Sequence, residues 1–547
     1  MLSSPILARV LVLASLASSA FAQCDLAKLT AAASFPNDDY GTAVAISGNT
    51  ILVGAPRSDL AALDAGAAFF YENVGGIWVE QSVTACDAAA SDAFGQSVAI
   101  DGDVAVIGAP AEQHFGFNSG AAYIFQRVAG TWVETQKLLA SNGALGDLFG
   151  ISTSVSGSRI VVGACQLSSF QIFGVGNGKL LIFEQAGSAW VEDVILTASD
   201  GSPGDRFGVE HAIDDDLIVI SAENKNIVGP TSGAAYLFER VAGAWTELDR
   251  IEPSDGAAGD FFSMGLALDG NTVASGSPEH SAAASHAGAV YLFERSGNSW
   301  IETQKLLPAG LAANDWFGRS IALADGVLWS GAFSIALSTP GTVYGYAFDG
   351  ANWAPTATLA PGDVAVGHQH GYAVAIDGDR LVATSRKYGP GSAYVYSSSV
   401  DAIQPLGCDL NPAGSLSVVS GTSSIGDSLT VAVHNPLGTQ TPGASIGFIA
   451  IMNSELLLPN GCGFPFAWDM TGGTAGELLV DPNTQLDLLT TSVWTGTPVS
   501  SVIQMPASCS LAGTTIALQG VMFDTAASGP GDVKFALTRA FSVTLGH

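Results

Sequence analysis

Acidic side chains recur at one position of a repeated pattern and are the first candidates for chemistry. They stand just before an aromatic-glycine pair, as in Asp92-Ala93-Phe94-Gly95. Carboxylates can bind cations or act as general acids and bases, but a catalytic group is needed once and not six times. We therefore expect these side chains to accept backbone N–H groups and stabilise turns. They are Asp39, Asp92, Asp147, Asp205, Asp260 and Asp315.

Two pairs of acidic residues share a loop and could hold a cation weakly. Asp200 lies five residues before Asp205, and Asp255 lies five before Asp260. Calcium prefers about six to eight oxygen ligands, so two carboxylates are an incomplete set. We predict no cofactor, with a cation at these acidic loops as the open alternative.

A histidine pair is the other candidate for metal chemistry. His368 and His370 stand at i and i+2, a spacing that could hold a metal in a strand. No third ligand can be assigned, and the pair occupies a degenerate copy of the repeated position. The chain also shows no nucleophile elbow, Walker loop, HExxH or Ser/His/Asp pattern. We therefore predict neither a metal site nor catalytic residues.

Aromatic residues in two loops of neighbouring repeats are the candidates for ligand binding. The loops are 111–119 and 166–174. Exposed aromatic side chains on adjacent loops could form a platform for a sugar ring or a protein partner. The alternative is that they pack on one another as a small core under the loops. The candidate residues are His114, Phe115, Phe117, Phe170 and Phe173.

A unit of about 55 residues, repeated seven times, must position these residues. Six copies have the acidic residue, which His368 replaces in the seventh, and an aromatic-glycine pair or a variant of it follows. Each copy then has a Gly-Ala-Pro-like corner such as Gly108-Ala109-Pro110 and an apolar run such as 120–125. A tryptophan follows at spacings of 54, 58, 55, 55 and 53 residues. The tryptophans are Trp78, Trp132, Trp190, Trp245, Trp300 and Trp353.

Each unit predicts four antiparallel strands, the first two joined by a two-residue turn such as Asp101-Gly102. Seven such units predict an all-β, seven-bladed β-propeller over residues 23–400, in which we expect the aromatic residue of each Phe-Gly pair to pack between blades. The seventh unit lacks the outer, tryptophan-containing strand. The segment 26–30 resembles that strand, so we expect an N-terminal strand to close the last blade and remove its free edge. Cys24 and Cys408 bracket this junction and are the best-motivated disulfide pair.

Phe-Gly followed by Gly-Ala-Pro at this spacing resembles the FG-GAP repeat family, which includes the propeller of integrin alpha subunits and many secreted bacterial proteins. The resemblance covers about residues 24–400. It implies extracellular binding or adhesion rather than one fixed reaction. Many members carry an Asp-rich calcium loop between the first two strands, whereas this chain has tight turns such as Asp101-Gly102-Asp103. Calcium ligands are therefore not carried over.

The two ends of the chain predict export and a second domain. Residues 1–22 read as a signal peptide, with Arg9, a short apolar run and an Ala-x-Ala site before Gln23. Residues 401–410 read as a linker. Short β-rich runs in 411–547 predict a β-sandwich, which Cys462 and Cys509 could staple. It resembles a module appended to secreted bacterial proteins of varied function.

The charge of the chain excludes whole classes of partner. Lys and Arg number 19 against 50 Asp and Glu, so the formal net charge is −31. That charge repels phosphate backbones and anionic lipid surfaces, and no segment beyond the signal peptide is apolar enough to span a membrane. We therefore expect neither nucleic-acid binding nor membrane insertion.

Together these features favour a secreted, non-enzymatic protein at the cell surface or outside the cell. We expect an extracellular glycan or protein as its ligand. Strand direction puts the long Gly-Ala-Pro loops and the connections between blades at one end of the propeller, which makes that end the expected binding surface. Two alternatives stay open: a polysaccharide-acting lyase or hydrolase with its site at the central opening, and a structural envelope or matrix protein.

Overall fold

The computed structural model describes residues 27–75, 77–166, 176–335, 339–361, 363–386 and 390–396 in full. It also describes, as backbone, Ser397 and ten strands between residues 403 and 544. The regular structure of all these residues is β-strand. Within them, no helix is long and apolar enough to cross a bilayer.

Seven four-stranded antiparallel sheets follow one another along the chain, and each is one blade. Blade one contains β2 (Ala43–Ser47), β3 (Thr50–Ala55), β4 (Ala67–Val74) and β5 (Ile77–Val83). Blade two contains β6 (Ser97–Asp101), β7 (Val104–Ala109), β8 (Ala121–Val128) and β9 (Thr131–Leu138). Blade three contains β10 (Thr153–Ser156), β11 (Arg159–Ala164), β12 (Lys179–Ala186) and β13 (Ala189–Leu196).

The remaining blades repeat this order. Blade four contains β14 (His211–Asp214), β15 (Leu217–Ala222), β16 (Ala234–Val241) and β17 (Ala244–Ile251). Blade five contains β18 (Gly265–Asp269), β19 (Thr272–Ser277), β20 (Ala289–Ser296) and β21 (Ser299–Leu306). Blade six contains β22 (Ile321–Ala324), β23 (Val327–Ala332), β24 (Thr342–Phe348) and β25 (Trp353–Leu359). Blade seven contains β26 (His370–Asp377), β27 (Arg380–Ser385), β28 (Ser392–Ser397) and, from the N-terminus, β1 (Ala27–Leu29).

The first strand of each blade is the innermost. These strands contact one another in sequence around a ring, and β26 of blade seven contacts β2 of blade one. The predicted seven-bladed propeller is therefore confirmed. The predicted closure is also confirmed, because β1 pairs antiparallel with β28 and places Leu29 opposite Ala393.

Glycines allow neighbouring blades to approach at backbone distance. A glycine before the third strand forms an isolated parallel bridge to the aromatic residue of the next blade, as in Gly120 to Phe149. Its φ is +83°, and an added Cβ would stand 2.1 Å from the Phe149 carbonyl oxygen. Gly391 closes the ring with the same close approach to Tyr40. The Phe149 ring is fully buried, which confirms the prediction that these aromatics pack between blades.

The tight turns between first and second strands differ in one detail from the prediction. Asp101 pairs with Val104, so the two turn residues are Gly102 and Asp103 rather than Asp101 and Gly102. Gly102 has a φ of +56°, as expected when glycine takes the first turn position. The Asp101 carboxylate accepts the Gly157 N–H of the next blade at 2.8 Å, so this acidic side chain joins blades.

Beyond residue 397 the part of the backbone that the structure describes forms ten further strands in sheets of five, three and two. The five-stranded sheet has the order β29-β38-β37-β32-β35, and the smaller sheets are β30-β31-β36 and β33-β34. The strands are β29 (Ile403–Leu406), β30 (Leu416–Ser420), β31 (Ser428–Val433), β32 (Ser445–Met452), β33 (Phe464–Phe466), β34 (Gly476–Leu478), β35 (Asp487–Trp494), β36 (Val499–Gln504), β37 (Thr515–Asp524) and β38 (Phe535–Thr544).

This second part of the chain bears on the predicted domain limits. Strand β29 lies inside the segment 401–410 that was predicted to be a linker. The packing of the sheets is not described, so the β-sandwich stays a prediction. The signal peptide 1–22 and the disulfide candidates Cys24, Cys408, Cys462 and Cys509 lie outside the described residues.

Candidate functional site

The candidate surface is the end of the propeller that we name the Gly-Ala-Pro face. It consists of the loops between second and third strands and the connections from each outer strand to the next blade. The strand directions put both kinds of segment at the same end, as predicted. The opposite end carries the short turns.

The repeated aspartates stabilise turns on this face, as the sequence predicts. Each carboxylate accepts the backbone N–H of the residue three positions earlier at 2.7–2.9 Å, as Asp92 does from Ala89. The blade-one member was misassigned, because Asp38 and not Asp39 accepts this bond, from Phe35. Asp39 is the next residue along and instead pairs with Arg386 at 3.1 Å and Arg57 at 3.4 Å.

The acidic pairs that could have held a cation are instead paired with nitrogen atoms of the protein's own side chains. Lys225 Nζ lies 2.9 Å from Asp205 and 3.3 Å from Asp200. In the next blade, His280 Nδ1 lies 2.9 Å from Asp260, and Asp255 pairs with a lysine. Protein nitrogens therefore occupy the positions that a bound cation would need.

A repeated three-residue group, which we name the Asp–Tyr–Lys latch, ties each of several connections to the following blade. In blade two, Asp87 accepts bonds from Tyr123 at 2.8 Å and Lys137 at 2.7 Å. Although partial burial opposes ionisation, these bonds hold the pKa of Asp87 below its usual value. Equivalent groups are Asp255–Tyr291–Lys305 and Asp363–Tyr394–Lys28, with arginine in Asp200–Tyr236–Arg250.

Glutamates two residues after the tryptophans fix the same connections from the outer side. Glu192 of blade three accepts the Ser141 N–H at 2.9 Å and the Ser141 hydroxyl at 2.6 Å. The equivalents are Glu80 to Ala32, Glu134 to Cys86, Glu247 to Ser199 and Glu302 to Ser254. The latches and these glutamate bonds together make the connections a rigid platform.

The aromatic loop predicted in blade two is exposed on this platform. Phe115 and Phe117 keep 44% and 48% of their surface exposed, and Leu145 of the following connection keeps 37%. The rings of His114 and Phe115 meet edge-on at 4.7 Å. Phe115 also lies directly over Gly143. The other two predicted residues, Phe170 and Phe173, fall outside the described residues.

One member of the histidine pair, His370, packs inside the propeller. His370 takes the place of the repeat phenylalanine and is fully buried, with Nδ1 3.0 Å from Ser385 Oγ and Nε2 3.3 Å from Tyr396 Oη. Burial lowers its pKa to about 3, so the ring is neutral. His368 precedes strand β26 and does not share a strand with His370.

Sequence reasoning missed a ring of seven side chains on the Gly-Ala-Pro face. Each follows the repeat aspartate, or its counterpart His368, directly and leads into an innermost strand. All seven adopt a left-handed backbone, with φ of 51–62°, although none is glycine. That conformation costs about 1–3 kcal/mol per residue, and such strain tends to be kept at functional sites. The residues are Asp39, Ala93, Leu148, Arg206, Phe261, Trp316 and Gln369.

Aromatic side chains join this ring across blades six and seven, forming what we name the aromatic strip. Half-buried Trp316 meets Phe333 edge-on at 5.9 Å, and Phe333 lies 5.1 Å from the Tyr372 ring. The Arg386 guanidinium lies over that ring at 4.4 Å from its centre. Both Phe333 and Arg386 stand where other repeats have the proline of Gly-Ala-Pro. These departures from the repeat were the signal that could have identified the strip.

Charged side chains lie on the other side of the ring. Arg206 pairs with Glu223, which also stands in a proline position. Glu210 lies at the start of the blade-four innermost strand, where burial raises its pKa to about 7 against the opposing influence of Arg319. Arg319 donates to the Met264 carbonyl at 3.3 Å. The ring therefore carries aromatic side chains at blades six and seven and charged side chains toward blades four and five.

Comparison with known proteins agrees with this architecture. The FG-GAP repeat profile matches residues 25–71, 78–125, 132–178, 190–238, 245–293 and 353–396. Each match after the first begins at the outer strand of one blade. Four of these five end in the third strand of the next blade, and the match 132–178 ends just before β12. The profile skips 294–352, which contains the first three strands of blade six with Trp316, Arg319 and Phe333.

Other comparisons add little. No curated protein matches the chain significantly. A chain from the crystal structure of a mitotic checkpoint complex is 10% identical, over 72% of this chain and 96% of that one, with a TM-score of 0.44. The repeat matches span more than half of the chain, and the protein therefore belongs to the FG-GAP repeat family.

Proposed function

We propose that this protein is a secreted binding module that recognises a surface glycan or a protein outside the cell through its Gly-Ala-Pro face. Propellers of the FG-GAP family are typically binding or adhesion modules. The observation that carries the proposal is the exposed apolar surface that the rigid connections hold in place.

The patch of His114, Phe115, Phe117 and Leu145 illustrates that surface. Its members come from a loop and from the next connection, and the Gly146 N–H donates to the Phe117 carbonyl at 3.0 Å to join the two. Exposed aromatic groups held on a fixed backbone lose little conformational entropy on binding, which favours recognition. The adjacent glutamate and latch contacts keep the backbone fixed.

Binding to intact cells and to a glycan array tests the proposal. The chain purified after export should bind one or both, and its N-terminus should be Gln23. Phe115→Asp should weaken that binding, because a charge would replace exposed apolar surface. The matched control is Val128→Asp, which changes a 56% exposed residue of the same blade at the opposite end.

Two outcomes would contradict the proposal. One is equal loss of binding in both variants, which would place recognition elsewhere. The other is release of fragments from a polysaccharide by the purified chain, which would favour the lyase or hydrolase alternative.

A further inference from the structure

Blade six keeps the tyrosine of the Asp–Tyr–Lys latch but lacks both of its charged partners. Strand pairing places Tyr123 opposite Lys137, and the same register places a lysine or arginine opposite the tyrosine in three other blades. In blade six that register places Thr358 opposite Tyr344. Gly310 stands where the latch has its aspartate, five residues before the repeat aspartate. Tyr344 is therefore a latch tyrosine without its lysine and its aspartate.

The complete latches show which group fits against such a tyrosine. In three of them a lysine Nζ lies 5.1–5.3 Å from the centre of the tyrosine ring. Tyr344 is supported in the same way as those rings, because it meets the repeat phenylalanine Phe317 edge-on at 5.6 Å, just as Tyr123 meets Phe94 at 5.5 Å. The ring of Tyr344 is thus placed to attract a cation over its face.

The repeat aspartate of blade six is buried beside this tyrosine with one oxygen unused. Asp315 is 6% exposed, and its Oδ2 accepts the Ala312 N–H at 2.7 Å, whereas Oδ1 has no hydrogen-bond partner among the described residues. Burial raises the pKa of Asp315, against the opposing influence of the Ala312 N–H and the Thr339 hydroxyl. Burial and then the charge of Asp315 raise the pKa of Tyr344, so the two groups are neighbours. A buried carboxylate is costly unless a cation or another donor reaches it.

Other blades supply that cation from their own side chains. A lysine or histidine nitrogen lies 2.8–2.9 Å from the repeat aspartate in blades three, four and five. In blade three it belongs to Lys179, and strand register puts Thr342 at that position in blade six. Ile335 stands where blades four and five have Lys225 and His280. The described part of blade six therefore brings no cation of its own to the repeat aspartate.

The place of the missing latch side chains opens to solvent. In the complete latches the aspartate side chains keep 43–53% of their surface exposed. Glycine at position 310 and threonine at position 358 remove the side chains that fill this place elsewhere. Half-buried Tyr344 and Leu311 belong to the apolar cluster of blade six and form its walls. A group that enters along these walls meets the buried Asp315 carboxylate at the inner end.

We propose that this ammonium slot, formed by Gly310, Asp315, Tyr344 and Thr358, binds the side chain of a lysine on a protein partner. The alkyl stem lies along Tyr344, and the ammonium group donates to Asp315 Oδ1. The formal charge of −31 favours the approach of a cationic partner. An amino group attached directly to a sugar ring fits less well, because it has no stem with which to reach a buried carboxylate. This inference rests on the proposed function, since it names the partner class of the same face.

Titration of the full exported chain with three probes, followed by saturation-transfer NMR, tests the inference. The probes are a short peptide with blocked ends and one lysine, the same peptide acetylated on the lysine Nζ, and a trimer of glucosamine. Acetylation keeps the stem and removes the charge, whereas the trimer keeps amino groups and removes the stem. The lysine peptide should bind at least about tenfold more tightly than either, because a hydrogen bond to a charged group contributes that much.

A matched pair of variants locates the site. Asp315→Asn should weaken binding of the lysine peptide by about tenfold or more, because it removes the charge and keeps an acceptor for the Ala312 N–H. The control is Asp92→Asn, since Asp92 is 3% exposed and accepts the same turn bond, from Ala89 at 2.7 Å, in a blade whose latch has Lys137. The control should change affinity less than about twofold.

A lysine supplied by the chain itself should fill the slot. Thr342→Lys places one in the register of Lys179, whose Nζ lies 2.8 Å from Asp147. This variant should lose binding of the lysine peptide. Its unfolding midpoint should also exceed that of Thr342→Met, which adds an apolar stem without the charge. The comparison of midpoints does not depend on the folding of the asparagine variant.

The outcomes separate this inference from the proposed function. Equal affinity for the acetylated peptide or the glucosamine trimer would overturn it, as would full binding by Asp315→Asn or no binding of the lysine peptide. A midpoint of Thr342→Lys no higher than that of Thr342→Met would also overturn it. If cells are still bound, and Phe115→Asp but not Asp315→Asn weakens that binding, the proposed function stands alone. If neither cells nor glycans are bound, the proposed function fails, and the peptide titration still decides whether the slot binds lysine.

Discussion

The glycines before the third strands allow the blades to meet, and Gly120→Ala measures how much that contact matters. Gly120 has a φ of +83°. An alanine held in this left-handed backbone conformation costs about 1–2 kcal/mol. About 0.4–1 kcal/mol of that cost is offset, because alanine lowers the conformational entropy of the unfolded chain. The new Cβ would also stand 2.1 Å from the Phe149 oxygen and 2.5 Å from its nitrogen. Blades two and three must then separate around a fully buried aromatic ring, and truncating such a ring costs about 3–5 kcal/mol. We expect the free energy of unfolding to fall by about 3 kcal/mol or more.

The matched control is Gly102→Ala. Gly102 has a φ of +56°, and an added Cβ meets no atom within 4 Å. Only the backbone cost applies, so the loss should be about 1 kcal/mol or less. Urea unfolding followed by tryptophan fluorescence reports on the propeller, because eight of the ten tryptophans lie between residues 78 and 353. Equal losses in the two variants would refute the conclusion that these glycines are required for close contact between blades.

Three further predictions concern closure and acid stability. Leu29→Ala should lower the unfolding midpoint, since Leu29 is 5% exposed in the core between blades seven and one, whereas Thr30→Ala at the next, exposed position should change it little. Burial lowers the pKa of His370 to about 3 and that of His211 to about 4. In the unfolded chain both imidazoles have the ordinary pKa of about 6.5. Between about pH 6.5 and the lowered values, these histidines therefore bind a proton only when the chain is unfolded. Stability should therefore fall as pH falls through that window, and His370→Phe should flatten the fall in unfolding free energy measured across it. The latch holds the pKa of Asp87 below its usual value, so its contribution is present above about pH 4 and is lost on further acidification. Asp87→Asn should remove that lower part of the acid dependence in the same titration, while an unchanged profile in either variant would contradict the assigned protonation.

The repeat made the fold predictable, because Phe-Gly, Gly-Ala-Pro and the tryptophans are each required by contacts between or within blades. The closing strand was predictable for the same reason, as the segment 26–30 resembles the outer strands. A shift of the repeated pattern by one residue was harder to predict from the sequence. Asp38-Asp39 offers two acids, and only the position of Phe35 shows which one accepts the turn bond.

The aromatic strip was not predictable from the repeat, because it is built where the repeat fails. Phe333 and Arg386 replace prolines. Trp316 has a left-handed backbone conformation that cannot be predicted from its residue type, because the seven ring positions hold seven different residue types. The contact from Trp316 through Phe333 to Tyr372 joins residues more than fifty positions apart. Only the closed ring brings them together. The exposed loop at Phe115 was predictable, since its aromatic residues stand in a long loop at the end that strand direction selects.

Hydrogen–deuterium exchange with and without a bound glycan or protein ligand is the most direct test of the central claim, that the Gly-Ala-Pro face is the binding surface. We predict slower exchange in the connections around residues 307–320 and in the loops at 111–119, with no change in the turns at residues 101–104 and 377–380. Protection confined to those turns, or to the outer strands, would contradict the account.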